Sequence, residues 1–283
     1  MKTRKTVDDI LIYIALSIML IFTLYPIMYT ILASFKDNVE ILTNPASMFP
    51  ENPTLDNYRT ALTSESFNVP VLLKNSLIYT IACVFANVVI SAMAGYTFAR
   101  GHFRFKKLIF ACFSALLFIK LGGISVYPTF EVLSLVNLDR SLFALIVVHC
   151  FSIPVANIYL VKGNVETIPK EIDEAAQIDG CSFVGILFRI ILPLLKPILA
   201  TIAIISFQGS WNEYLMPNIF TLTDPSQRTL IVGLMSLKST GESASSWNLM
   251  LAGATIAMLP VLVAFAIGNK YFVKGIAAGA VKG

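Results

Sequence analysis

The chain has 283 residues, of which 56% are hydrophobic and 13% are charged, and its mean hydropathy is +0.75. A soluble domain carries roughly 25% charged residues, so this composition argues against a soluble enzyme, a disordered protein or a coiled coil and favours an integral membrane protein. The net charge of +4 is too small, and the basic residues too scattered, to indicate nucleic-acid binding.

Six apolar stretches approach or exceed the roughly 20 residues that a membrane-spanning helix needs. They cover about 10–33, 76–99, 108–130, 142–161, 190–207 and 250–268. We interpret the first as a retained anchor rather than a cleaved signal peptide, because it exceeds the usual signal core of roughly 7–15 residues. The pattern predicts an all-α, polytopic membrane protein with a single transmembrane domain over residues 1–283.

The basic residues predict the orientation of these helices, since cytoplasmic loops are enriched in Lys and Arg. The N-terminus, the segments after the second and fourth stretches, and the tail together carry 14 basic residues. The opposite side carries six, and Lys120 lies inside the third stretch. Both termini are therefore predicted to be cytoplasmic. Two outer segments of about 40 residues suit either docking of an external partner or passive connection.

The cytoplasmic segment 165–189 predicts an amphipathic helix. Pro169 suits a first helical position, and the acidic residues after it favour the helix dipole. A small apolar face follows, formed by Ile172, Ala175, Ala176 and Ile178. Gly180 then allows a turn. A linker helix lying on the membrane surface would explain this face, but not the spacing of its acidic, small and glycine positions.

That spacing matches the loop signature of ATP-driven importer permeases, which reads Glu-Ala-Ala, three residues, Gly, nine residues, Ile, one residue and Leu-Pro. The chain has Glu174-Ala175-Ala176, Gly180, Ile190 and Leu192-Pro193 at those positions. Every fixed position of this highly specific pattern agrees.

Three further segments resemble sugar-importer permeases in particular. Trp211-Asn212-Glu213-Tyr214 resembles the Trp-Asn-acidic-aromatic element of sugar-importer permeases. Residues 44–58 resemble that family's first outer loop, and residues 270–283 resemble its C-terminus. By resemblance over nearly the whole chain, we identify a permease of the carbohydrate-uptake ABC importers, on the side of the family that resembles the maltose-system G subunit.

The resemblance implies two different but homologous permeases, two cytoplasmic ATPase subunits and an external solute-binding protein, which together import a sugar or oligosaccharide by alternating access. It implies that the coupling residues Glu174, Ala175, Ala176, Asp179 and Gly180 contact the ATPase. It also implies that the tail, at Lys282 and Gly283, reaches the ATPase; simple disorder of the tail is the alternative.

No catalytic constellation is visible in the sequence. The chain has no phosphate-binding Gly-x4-Gly-Lys-Ser/Thr loop, its two histidines lack ligand or triad spacing, and its four cysteines form no C-x-x-C pair. We therefore expect no metal or cofactor here and no enzymatic activity, with ATP and Mg²⁺ bound by the partner ATPase.

Two elements are candidates for the solute path or for contact with the binding protein. Lys120 either faces the translocation cavity, snorkels to the outer interface or pairs with a partner's carboxylate. Trp211, Asn212 and Glu213 have the aromatic and hydrogen-bonding chemistry of a sugar site, and an interfacial aromatic with a helix cap is the alternative.

Competing functions remain open at this point. An importer for glycerol phosphate, a polyol or an acidic sugar is a competing function within the same class of ATP-driven importer. An ion-driven secondary transporter would need internal repeats and acidic residues inside the spans, and neither is evident. A membrane enzyme would need a metal or nucleophile cluster.

Overall fold

A computed structural model describes the backbone of residues 2–64, 67–119, 122–138, 140–238 and 246–280, and the side chains of 9–64, 67–119, 123–138, 140–238 and 246–268. This part of the chain is helical and contains no strand, which confirms the predicted all-α class. The helices are α1 Lys2–Ala33, α2 Asn38–Thr43, α3 Asp56–Thr63, α4 Val69–Arg100, α5 Lys106–Ala115, α6 Val126–Ser134, α7 Leu142–Cys150, α8 Val155–Glu166, α9 Lys170–Ile178, α10 Phe183–Ile186, α11 Leu192–Leu194, α12 Lys196–Trp211, α13 Leu215–Phe220, α14 Leu230–Ser236 and α15 Trp247–Ala280.

Among the described residues, four helical stretches are long and apolar enough to cross a membrane. They are Asp9–Ala33, Val69–Arg100, Leu142–Glu166 and Trp247–Gly268, with mean hydropathies of 2.4, 2.1, 2.0 and 2.3. A helix of 25 residues is about 38 Å long, against a hydrocarbon core of roughly 30 Å. These stretches coincide with the predicted first, second, fourth and sixth spans.

A fifth apolar region is bent. Phe183–Leu194 and Lys196–Trp211 meet at an angle of 80°. Pro193 lies just before the break and Pro197 just after it. Neither residue has the backbone N–H that a continuous helix would need at its position. The π-helical turn Leu187–Ile191 precedes the break. The Leu-Pro of the loop signature therefore lies at this bend.

The predicted third span, 108–130, shows no continuous helix of spanning length in its described residues. It consists of α5, a 3₁₀ turn at Gly122–Ser125 and the first part of α6. Lys120 lies outside the described residues. The count of six spans and the proposed roles of Lys120 stay predictions.

One compact unit comprises residues 1–71 and 233–259, and it contains a buried polar network. Lys36 is fully buried, its Nζ donates to the Ser47 carbonyl at 2.7 Å, and it pairs with Glu40 at 3.3 Å. Asn57 Nδ2 donates to the Lys36 carbonyl at 2.7 Å, and Asn248 Nδ2 donates to Asn57 Oδ1 at 2.7 Å. The first of the two long segments predicted to be outer is thus held by specific polar contacts.

The second unit comprises residues 72–232 and 260–283. One apolar cluster in it joins α4, α8, α10 and α12 through residues that include Tyr96, Val161, Ile186 and Ile202. A Cβ at Gly95 would lie 2.6 Å from the Val161 side chain, so the absence of a side chain there lets α4 approach α8 closely. The segment that carries the loop signature packs on this cluster.

Candidate functional site

The segment predicted to contact the ATPase, residues 165–189, is called the coupling segment below. It contains two short helices, α9 and α10, between the end of α8 and the π-helical turn. The first, α9, begins at Lys170 directly after Pro169, one residue later than the sequence predicts. Glu171 and Asp173 lie in its first turn, where the helix dipole favours negative charge. Pro169 has extended backbone angles and so separates α9 from α8.

A glycine makes the reversal between the two helices. Gly180 has a φ of +80°, in the left-handed region that L side chains rarely adopt. No atom lies within 4 Å of the position its Cβ would occupy, so the need for glycine here comes from the backbone and not from crowding. Ser182 then caps α10, since its Oγ accepts from the Gly185 N–H at 3.1 Å.

The residues predicted to contact the ATPase divide between two faces of the segment. Ala176 is buried and packs in the chain's own apolar cluster. Glu174, Ala175, Asp179 and Gly180 are exposed. Of the two alanines, only Ala175 is therefore available to a partner, and Ala176 instead holds α9 against the rest of this unit.

A buried ion pair joins this segment to α4, and the sequence analysis missed it. Arg100 Nε donates to Asp173 Oδ2 at 3.0 Å, and the Tyr96 hydroxyl donates to Asp173 Oδ1 at 3.0 Å. The carboxylate of Asp173 is almost fully buried. The predicted apolar face gave no signal for it, because Ile172, Ala175 and Ile178 of that face are exposed, and only Ala176 is buried beside Asp173.

A cavity of about 580 Å³ lies beside this pair, between the end of α4 and α9. Its lining is rich in polar groups, including Arg100, His102, Lys106, Lys170, Glu174 and Gln177. Lys106 Nζ donates to the Gly101 carbonyl at 2.9 Å, and partial burial, then the nearby Lys162 charge, lower the pKa of Lys106. Among the described residues, no three His, Cys, Asp or Glu side chains are grouped as a metal ion would need.

The Trp-Asn element lies at the end of α12. The side chains of its first three residues differ in their exposure to solvent. Trp211 is buried and stacks on Phe207 at 5.5 Å between ring centroids. Asn212 is exposed and ends the helix, with its Nδ2 donating to the Gln208 carbonyl at 2.9 Å. Glu213 accepts a 2.6 Å hydrogen bond from the Tyr79 hydroxyl of α4. Asn212 is thus the most accessible of the three proposed contacts.

The proposed tail contacts cannot be placed. Lys282 and Gly283 lie outside the described residues, and α15 is described to Ala280. Their role at the ATPase stays a prediction.

Comparisons with known proteins agree with this architecture. A model of the family "Binding-protein-dependent transport system inner membrane component" matches residues 87–278. The sulfoquinovosyl glycerol transport system permease SmoH of Agrobacterium fabrum is 33% identical, over 96% of this chain and 93% of that protein. The maltodextrin transport system permease MdxG of Bacillus subtilis is also 33% identical, over 100% and 99% of the two chains.

A solved structure shares the fold. It is that of a bacterial ABC transporter involved in the import of the acidic polysaccharide alginate, with a TM-score of 0.79 and 24% identity, over 94% of this chain and 97% of that chain. The family match covers more than half of the chain, and the relatives match nearly all of it. The chain belongs to the family of inner membrane components of binding-protein-dependent transport systems.

Proposed function

We propose that this chain is the permease subunit of an ABC importer that moves a sugar or oligosaccharide from an external solute-binding protein into the cytoplasm. The observation that carries the proposal is the match, over nearly its full length, to permeases of saccharide transport systems. A second, homologous permease and two ATPase subunits complete the assembly. Both termini lie in the cytoplasm on the basis of the Lys and Arg distribution.

The coupling segment supplies the mechanical link in this proposal. Exposed Glu174 offers a carboxylate to a basic or N–H group of the ATPase, and exposed Ala175 allows that chain to approach closely. Closure of the ATPase dimer on ATP displaces α9 and α10. Because Ala176 is packed in the same cluster as α4, α8 and α12, the displacement reaches the membrane helices as a rigid-body movement.

Other proposed contacts concern the solute and the tail. We assign Asn212, with Glu213 and Trp211 behind it, to the solute path or to the binding-protein surface, and Lys120 to the same path. Lys282 and Gly283 contact the ATPase. ATP and Mg²⁺ bind the ATPase, where hydrolysis takes place. Membership of a binding-protein-dependent family disfavours an ion-driven transporter.

Purification of the tagged chain in a gentle detergent from its native membranes, with mass spectrometry of the co-purifying proteins, tests the assembly. We expect an ATPase, a second permease and a solute-binding protein. The binding protein is then screened with maltodextrins, neutral oligosaccharides, acidic sugars, polyols and glycerol phosphate. Repeated recovery of this chain alone, in progressively milder detergents, would contradict the proposal.

The substitution Glu174→Lys tests the coupling role, because it reverses the charge offered to the ATPase. In proteoliposomes holding the complete transporter, we expect uptake of the screened sugar to fall by roughly tenfold or more while the chain still inserts. Glu131→Lys is the matched control, since Glu131 is exposed on α6 and lies outside the coupling segment. Normal uptake by the Glu174→Lys transporter would contradict the coupling role.

A further inference from the structure

The last turn of α4 presents two polar side chains to the coupling segment. Tyr96 and Arg100 are four residues apart and so lie on the same face of α4. Both contact the carboxylate of Asp173, at 3.0 Å each. We call these three residues the α4 latch.

We infer that Asp173 is a positioning residue: through the α4 latch it fixes α9 on the end of α4, so that movement of the coupling segment becomes movement of α4. The inference rests on the proposed function, and it assigns a role to residues outside the loop signature.

Burial makes this contact specific. The side chains of Arg100 and Asp173 are only 8% and 7% exposed. Charges so far from water need well-aligned partners, and both oxygens of Asp173 are bound here. Charged hydrogen bonds have a preferred direction, whereas apolar contacts such as that of Ala176 have none. The latch therefore sets the register of α9 on α4, and the apolar cluster alone would allow sliding.

The latch also reaches both sides of α9. Arg100 donates a second, short hydrogen bond to the carbonyl of Ile168, just before α9 begins. The Tyr96 ring packs on Phe183, the first residue of α10, at 4.6 Å between centroids. One turn of α4 thus holds the start of α9, its middle and the start of α10.

The helix that the latch moves connects the coupling segment to the Trp-Asn element. Tyr79 lies 17 residues before Tyr96 on the uninterrupted α4, which is about 26 Å along the axis. The Tyr79 hydroxyl donates to Glu213 at 2.6 Å. A displacement of the latch therefore has a continuous helical route to the segment that we assign to the solute path.

The test uses the complete transporter in proteoliposomes and measures sugar taken up per ATP hydrolysed. Asp173→Asn keeps the size of the side chain and removes its charge, and we expect this ratio to fall by roughly tenfold. Tyr96→Phe removes one hydrogen bond, and we expect a smaller fall. The control Glu131→Gln makes the same carboxylate-to-amide change at an exposed position on α6, outside the coupling segment, and should leave the ratio unchanged.

A purely structural role predicts a different result. Uptake and ATP hydrolysis would then fall together with the amount of assembled complex, and the ratio would stay constant. That outcome, or an unchanged ratio with full assembly, would overturn the inference. Failure of the wild-type transporter to take up any screened sugar would count against the proposed function instead.

A second measurement needs no sugar. Hydrogen exchange of residues 93–100 in the purified complex is compared before and after addition of a non-hydrolysable ATP analogue. We expect a change in the wild type that Asp173→Asn abolishes while α9 itself still responds. Absence of any change in the wild type, or the same change in both proteins, would overturn the latch.

Discussion

Two buried cations show how similar chemistry serves different ends in the two units of this chain. Lys36 pairs with Glu40, four residues along the chain, and donates to the Ser47 carbonyl, so its contacts stay within one short stretch of the chain. Arg100 pairs with Asp173, 73 residues away, and donates to Ile168. The first arrangement stabilises a local fold. The contacts of Arg100 instead hold α9 against the end of α4, and transmission of a movement between two helices requires such a contact.

Removing Arg100 should have the largest effect on stability. Arg100→Met leaves the carboxylate of Asp173 buried without its cation, which costs about 3–5 kcal/mol. We expect the thermal midpoint of the purified protein in detergent to fall accordingly. A midpoint within about 1 °C of the wild type would show that water or another cation compensates for the loss.

Replacing the whole latch separates stability from coupling. Tyr96→Phe, Arg100→Met and Asp173→Leu together substitute apolar groups of similar size, and such replacements of buried ion pairs are often neutral or stabilising. We expect the thermal midpoint to recover towards that of the wild type while sugar uptake per ATP stays low. Recovery of both would show that packing alone couples α9 to α4.

Lys36→Met should have an intermediate effect. Its partner Glu40 still accepts from the backbone N–H of Glu51 at 3.0 Å, so the abandoned carboxylate keeps a backbone donor. The Ser47 carbonyl also loses its donor, and we expect a loss of about 1–3 kcal/mol in thermal or denaturant unfolding. Lys74→Met, at an exposed position, is the control and should change stability little. Equal effects of the two substitutions would contradict the burial argument.

The smallest expected effect on stability concerns the backbone conformation of Gly180. Gly180→Ala forces a side chain into a φ of +80° and should destabilise by about 1–2 kcal/mol, although space for the Cβ is open. Gly163→Ala is the matched control, because its Cβ also meets no atom within 4 Å but lies inside α8. Here alanine should stabilise by up to about 1 kcal/mol. Unfolding experiments that show the same sign for both would refute the role of φ.

Local signals explain what could be predicted about the candidate site. Pro169 with its acidic neighbours indicated the start of α9, and Gly180 indicated the reversal, because helix starts and turns depend on adjacent residues. The partners of Asp173 could not be predicted, since they lie 73 and 77 residues away. The aromatic chemistry of Trp211 suggested a solute contact, and only packing revealed that its ring is covered by the chain itself.

The sequence by itself determined the all-α membrane class, the family and the position of the loop signature. Those properties follow from apolar runs, helix periodicity and residue spacing, which are local in the chain. Only the tertiary structure decided that Ala176 faces inward while Ala175 faces outward, that the fifth apolar region bends by 80°, and that Arg100 binds Asp173. The physical reason is that burial and ion pairing depend on which distant elements meet, and a linear sequence carries no direct signal for that.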